Sequence, residues 1–265
     1  MNLSQRVVVY LKTIGRIEED AENLFYHLVA LLHAPQYALE NSGALRQDWP
    51  RIPLPSSKET LLDSAELGRK VAALLDTERG VAGVTEGKIE RPLDTIGVIS
   101  RLGGGQLQTE DEEGKDKLSE LRITVGWGHG GKGGITMPGK GKLIERDYTP
   151  EERKVIEGSS ERLGLSTEGI LAHLGEITFD VYLNDVAYWK NIPARVWVYT
   201  IGGYQVIKKW LSYREHKLLG RALTPDEARE VMNIARRIAS ILLLEPSLDA
   251  NYQAIRSATY PWPFD

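Results

Sequence analysis

The apolar residues of this 265-residue chain change their spacing near residue 80, and that change governs what the chain can build. Up to that point they recur at helical intervals. Leu24, Phe25, Leu28, Val29, Leu31 and Leu32 follow the acidic start Glu18, Glu19, Asp20 and Glu22, so the pattern predicts a helix over residues 20–33 that Pro35 stops. Ser56, with Glu59 three positions on, reads as a capping box. It opens a second helix through Leu61, Leu62, Ala65, Leu67, Val71, Leu74 and Leu75. Between the two lies Trp49-Pro50-Arg51-Ile52-Pro53-Leu54-Pro55, whose prolines remove backbone donors and hold the chain extended. Such a segment reads as a strap between packed units.

From Gly80 to about Thr200 the runs are short or alternating, among them residues 121–125 and 195–200, and glycines separate them, which predicts strands and loops. The acid-rich stretch 110–120 reads as an exposed loop. Thr149-Pro150-Glu151-Glu152 combines an N-cap threonine, proline at the first helical position and glutamate at the third, so a helix should begin there. Thr224-Pro225-Asp226-Glu227 repeats the device. The helix it opens carries Val231, Ile234, Ala235, Ile238, Ile241 and Leu242 on one stripe, with Pro246 expected to mark its end. The expected fold class is α+β. A helical connector with its proline-rich strap spans residues 1–78, a β-rich lobe with long loops 79–200, and a C-terminal helical part packed on the same unit 201–265.

Composition narrows the function classes. A hydrophobic content of 42% excludes a disordered tail, and no apolar run approaches the ~18 to 20 residues needed to cross a bilayer. With no cysteine, disulfides and thiolate metal sites are excluded, and with no secretory signal at the N-terminus the expected setting is cytoplasmic. The net charge of −4 and pI near 5.8 do not form the basic footprint of an autonomous nucleic-acid binder, so any hold on DNA must come from local charge.

Two segments supply such charge. The first runs from Gly126-Trp127-Gly128-His129-Gly130-Gly131-Lys132-Gly133-Gly134 to Met137-Pro138-Gly139-Lys140-Gly141-Lys142. Its glycines let the backbone approach a partner closely, and Lys132, Lys140 and Lys142 can meet phosphates; a plain surface loop is the competing reading. It is not a P-loop, because Lys132 and Lys140 are followed by glycine and Lys142 by leucine. The second runs from Gly202 to Arg214. Read as a helix, it buries Val206, Ile207, Trp210 and Leu211 and turns Gln205, Lys208, Lys209, Ser212 and His216 outward. From Gly203 to Arg221, Lys208, Lys209, Arg214, Lys217 and Arg221 face Glu215 alone. This patch can lie along a phosphate backbone, and Gln205 can pair with adenine in a groove; a solvated amphipathic helix is the competing reading.

Catalytic constellations are missing. His27, His33, His129, His173 and His216 lack metal-ligand spacing, and His27 and His33 lie on a mostly buried helix. Asp180 and Asp185 have no Glu-x-Lys partner of a metal-dependent nuclease, so a structural role is expected of them. An Asn-Pro-Pro-Tyr motif, which an adenine methyltransferase uses to hold a flipped base, is also absent.

Residues 25–37 with Asp48-Trp49-Pro50-Arg51-Ile52-Pro53-Leu54-Pro55 resemble the helix and strap between the methyltransferase core and the specificity domain of type ISP restriction-modification enzymes and related N6-adenine DNA methyltransferases. Residues 196–211 are similar to the C-terminal specificity domain of those enzymes. The Gly-Trp-Gly-His loop, Glu145-Arg146-Asp147-Tyr148-Thr149 and Asp180-Val181-Tyr182-Leu183-Asn184-Asp185 also look like stretches of that family, in the same order. The resemblance implies a target-recognition module that reads a short asymmetric sequence in double-stranded DNA. It would present an adenine to a methyltransferase domain or subunit. S-adenosylmethionine, and ATP with Mg2+ where a translocase and nuclease are present, would belong to those partner domains, and this chain would bind no cofactor. The expected DNA-binding residues are Lys132, Lys140, Lys142, Arg146, Tyr204, Gln205, Lys208, Lys209 and Arg214. Two other classes compete: a protein-interaction module docking on a methyltransferase core, and a stand-alone hydrolase using Asp180, Asp185 or His129.

Overall fold

Helix-forming stretches interrupted by prolines build the N-terminal part of the chain, as a computed structural model shows; it describes residues 3–105 and 118–262 and, within them, all side chains but those of Ile17, Glu18, Leu118 and Ser119. Two compact units form: Met1–Arg79 together with Leu244–Asp265, and Gly80–Leu243. The first holds α1 (Gln5–Ile14), α2 (Ile17–Leu32), α3 (Pro35–Glu40), α4 (Ser42–Leu45) and α5 (Lys58–Leu75). Pro35 ends α2 and also begins α3, at the position where its missing N–H leaves no intrahelical bond unmade. The cap of α5 lies one residue later than the sequence suggests. Ser57, not Ser56, accepts from the Thr60 N–H, which moves Glu59 to the second helical position and leaves no capping box.

The strap is tied down along its C-terminal half. His27 of α2 is fully buried and bonds Ser64 Oγ of α5 at 2.8 Å and the Pro53 carbonyl at 3.0 Å. The Tyr10 hydroxyl donates to the Pro55 carbonyl at 3.0 Å. Apolar packing on either side comes from Leu31, Tyr37, Val71 and Leu248 in one cluster and from Tyr10, Leu11, Leu24 and Leu61 in another.

The second unit is built on an antiparallel sheet. Its strands are β1 (Val98–Arg101), β2 (Gly128–Gly130), β3 (Thr136–Pro138), β4 (Leu143–Arg146), β5 (Thr178–Tyr182), β6 (Ala187–Pro193), β7 (Thr200–Ile201) and β8 (Tyr204–Gln205). β1, β6, β5 and β4 lie in that order in one sheet, while β2 with β3 and β7 with β8 form separate two-stranded hairpins. Its helices are α6 (Pro150–Glu157), α7 (Ser160–Leu163), α8 (Thr167–Leu174), α9 (Ala194–Val198), α10 (Val206–Tyr213), α11 (His216–Leu219) and the start of α12 (Pro225–Ser257). Both predicted threonine caps are present. Thr149 and Glu152 bond each other's backbone N–H groups, and so do Thr224 and Glu227. The core gathers Trp127, Trp189, Ile170, Ile192, Leu211 and Ala235.

Helices mixed with small antiparallel sheets make the fold α+β, as expected. Four local expectations need correction. Residues 195–200 are not a strand, because α9 turns both Val196 and Trp197 into the core before β7 begins. Residues 121–125 join no sheet; Leu121 closes a short 3-10 helix and Ile123 makes a single bridge, to Glu215. Ser212 is buried rather than outward, its hydroxyl bonded to the Lys209 carbonyl. Pro246 does not end α12, which continues to Ser257 because Leu248, Tyr252 and Ile255 beyond it are buried; an interior proline costs about 3 kcal/mol, which burying those three side chains offsets. The acidic stretch falls, over residues 110–117, outside the described residues. Among the described residues no helix is long and apolar enough to cross a membrane.

Candidate nucleic-acid interface

The glycine-rich segment folds as a hairpin with a purpose-built anchor. β2 pairs antiparallel with β3, and Lys132–Gly134 forms a short turn at the tip. At its base Trp127 is fully buried: its backbone N–H donates to Glu215 Oε2 at 2.8 Å and its indole N–H to the Tyr182 carbonyl at 2.7 Å. Glu215 is itself buried, so the lone acid of the basic stretch 203–221 fixes the hairpin rather than balancing surface charge. The hairpin packs on α10, and Gly128 makes the approach possible. A Cβ there would stand 1.9 Å from the Ser212 carbonyl oxygen.

A second hairpin, β7 with β8, leads directly into α10. Its two-residue turn is Gly202-Gly203, with φ of 57° and 82°, the pair of positive values that a tight type I′ turn demands. Ile201 pairs with Tyr204 across it, so both side chains lie on one face. Lys209 of α10 places its ammonium 4.7 Å from the ring centres of both Tyr204 and Tyr213.

The structure thus brings together residues far apart in sequence. Lys132 and Lys140 are exposed on and beside the β2–β3 hairpin, and Lys208, Lys209 and Tyr204 belong to α10 and its leading hairpin, against which that hairpin packs. Between the β2–β3 hairpin and α11 a cleft of about 290 Å³ is lined by Thr124, Gly128, His129, Glu215 and Lys217 among others. Gln205 is half-buried, and its amide reaches the Trp197 carbonyl only at 3.5 Å, a weak contact that leaves its hydrogen-bonding capacity largely unused.

The remaining predicted residues are engaged elsewhere. Lys142 begins toward the edge strand β4 and is half-buried, 3.2 Å from Asp185 and 4.5 Å from the centre of the Tyr182 ring. Arg146 donates to Asp180 at 3.0 Å, to both oxygens of Glu152 at 2.7 and 2.9 Å, and to the Asp147 carbonyl. Burial would push its pKa down, but these bonds raise it, so it stays charged inside an internal brace. Burial likewise opposes ionisation of Glu152, and the bonds from Arg146 and the Thr149 N–H outweigh it, holding its pKa below the usual range. Arg214 stacks 3.8 Å over Trp210 beside Glu227 and Glu230. Arg221 forks onto both oxygens of Glu227, and that hydrogen bonding, before any other cause, depresses the Glu227 pKa to about 2.

Three residues of this surface were not singled out as site residues by sequence: Ile201, Tyr213 and Glu215. Each left a signal. Ile201 faces Tyr204 across a Gly-Gly turn, Tyr213 lies one helical turn past Lys209, and Glu215 is the single acid among five cations. Among the described residues no group of three or more His, Asp or Glu side chains is placed to hold a metal ion. Asp180 spends its oxygens on Arg146 and on the Asn191 N–H, and Asp185 pairs with Lys142.

No curated protein and no solved structure matches the chain. The sequence model of the type ISP C-terminal specificity domain matches residues 1–241. The chain therefore belongs to the family of type ISP C-terminal specificity domains, the target-recognition modules of restriction-modification enzymes.

Proposed function

We propose that this chain binds double-stranded DNA sequence-specifically through the surface made by the β2–β3 hairpin, the β7–β8 hairpin and α10. In this reading it directs a partner methyltransferase domain or subunit to an N6-adenine target and carries no catalytic step of its own. The observation that supports this best is the packing of the glycine-rich hairpin on α10, which sets the segment that carries Lys132 and Lys140 beside the helix that carries Lys208 and Lys209. Those four side chains have no carboxylate ion-pair partner among the described residues, so their charge is available to phosphates, whereas Arg146, Arg214 and Arg221 are neutralised by acids. S-adenosylmethionine, and ATP with Mg2+ where translocation occurs, would be bound by the partner domains.

Replacing Lys208 and Lys209 by alanine should weaken binding to all duplexes alike. It should also make the slope of log affinity against log salt shallower by about 2, since each phosphate contact contributes roughly 0.9. Mobility-shift titrations at several salt concentrations read both. A double variant with unchanged slope would remove α10 from the interface. A Gln205→Ala variant tests sequence reading separately: its preference among duplexes should change while its salt slope does not.

A second reading is favoured by one observation on the first unit, where Trp49 is 86% exposed on the strap, with Phe25 and Leu39 also largely exposed. Large apolar side chains left open in this way mark docking surfaces, and a methyltransferase core is the partner the family implies. Loss of co-purification with that methyltransferase in a Trp49→Ser variant, with DNA affinity retained, would favour docking as this unit's role.

A further inference from the structure

The β7–β8 hairpin carries an apolar pair that packing does not explain. Ile201 is 54% exposed and Tyr204 is 59% exposed, although they form the last cross-strand pair before the turn and lie on the same face. Solvent-facing positions at a hairpin tip ordinarily hold polar residues, so leaving two large apolar side chains here works against solubility unless something covers them. The support beneath the pair is unusually firm for a protrusion. A two-glycine turn fixes the strand pairing, the Val206 N–H donates to the Tyr199 carbonyl below it, and the Lys209 ammonium lies 4.7 Å from the centre of the Tyr204 ring and steadies it.

The chemistry around the pair indicates what covers it. Lys208 and Lys209 follow within five residues on α10, with no carboxylate ion-pair partner among the described residues, so the apolar tip is flanked by positive charge. A protein partner with an apolar pocket would not need that charge. A nucleic-acid duplex offers both features, phosphates at its edges and apolar base faces within the stack. From the juxtaposition of the exposed Ile201–Tyr204 pair with Lys208 and Lys209, we infer that the β7–β8 hairpin is a wedge that enters bound duplex DNA and unstacks a base step. This inference rests on the DNA-binding reading and adds to it a distortion of the DNA. Lys208 and Lys209 would hold the backbones beside the opened step, and the Tyr204 ring would replace the stacking that a displaced base gives up.

The test begins with the full chain selecting duplexes of about 30 base pairs, three helical turns, from a random pool. Selected duplexes are then remade with 2-aminopurine at each adenine in turn, and thymines are probed with permanganate; both report unstacking. All readings are taken at protein concentrations that saturate each variant, so that weakened affinity does not masquerade as lost distortion. The wild-type chain should give a several-fold fluorescence gain or a new reactive thymine at one step. Ile201→Ser and Tyr204→Ser should each abolish it, and Tyr204→Phe, which keeps the ring, should retain it. A saturated wild-type complex with neither signal at any position overturns the wedge and leaves DNA binding standing, as does a signal that persists in both serine variants. Failure to select any duplex overturns the DNA-binding reading and the wedge with it.

Discussion

His27 shows how much of a buried polar residue is decided by partners that sequence does not display. Its place on a buried helix face was legible from the apolar residues around it, but its bonds to Ser64 and to the Pro53 carbonyl depend on two other segments. Burial pushes its pKa down from 6.5 to about 4, against a smaller opposing effect of the bond to Pro53. Between those values the unfolded chain takes up a proton that the folded chain refuses. The stability that neutral His27 provides is therefore complete above pH 6.5 and lost as pH falls through the window toward 4. Between about pH 7 and about pH 5 the first unit should lose about 2 kcal/mol from this group. Urea denaturation at the two pH values should show that loss in the wild-type chain and a clearly smaller one in His27→Gln. An equal loss in both would mean that other groups carry the dependence. The same limit explains the misplaced cap of α5. Ser56 and Ser57 are equivalent in the sequence, and the Ser56 N–H is drawn instead to the Ala258 carbonyl, over two hundred positions away.

At the scale of elements, the signals that survived were those in which one short segment contains both partners. Thr149 with Glu152 and Thr224 with Glu227 cap their helices as expected because donor and acceptor are three residues apart. Segments whose state depends on what lies across from them were misread. Residues 195–200 have the composition of a strand, yet the chain turns as α9 directly after β6, which lies inside the sheet between β1 and β5, and α9 buries Val196 and Trp197. Arg146 belongs with these. Its basic character suggested phosphate contact, whereas the structure uses it to join β4, β5 and the start of α6 through Asp180 and Glu152, both well buried. Removing Arg146 leaves Asp180 without an ion-pair partner and Glu152 with only Lys190, 3.6 Å away, so Arg146→Ala should destabilise the second unit by about 3 kcal/mol. Arg146→Lys should recover only part, because an ammonium cannot fork onto the Glu152 carboxylate while reaching Asp180. Thermal unfolding measures both, and a stable Arg146→Ala chain with weakened DNA binding would return this residue to the interface.

For the whole molecule, the contradiction between a net charge of −4 and a DNA-binding role is resolved by where the charges are paired. Many of the 33 Lys and Arg side chains are matched to nearby acids and cancel locally, as Arg146, Arg162, Arg221 and Arg256 do. What the two packed elements offer to phosphates is a small group, Lys132, Lys140, Lys208 and Lys209, although cations elsewhere, Lys154 and Lys217 among them, also have no carboxylate ion-pair partner among the described residues. Sequence could name these residues but not select them from the other cations, since it is the packing of the β2–β3 hairpin on α10 that sets them apart. Selection has a quantitative consequence. About four phosphate contacts give a slope of log affinity against log salt near −4, well short of the roughly −10 known for strongly basic recognition surfaces. The acidic remainder of the chain also repels DNA at long range, so non-specific binding should be weak and should depend little on which random duplex is offered. Titrating selected and random duplexes across salt concentrations checks both statements. A slope near −10 would mean that many more cations reach the backbone than these four, and that the pairing of Arg214 and Arg221 with Glu227 and Glu230 gives way when DNA arrives.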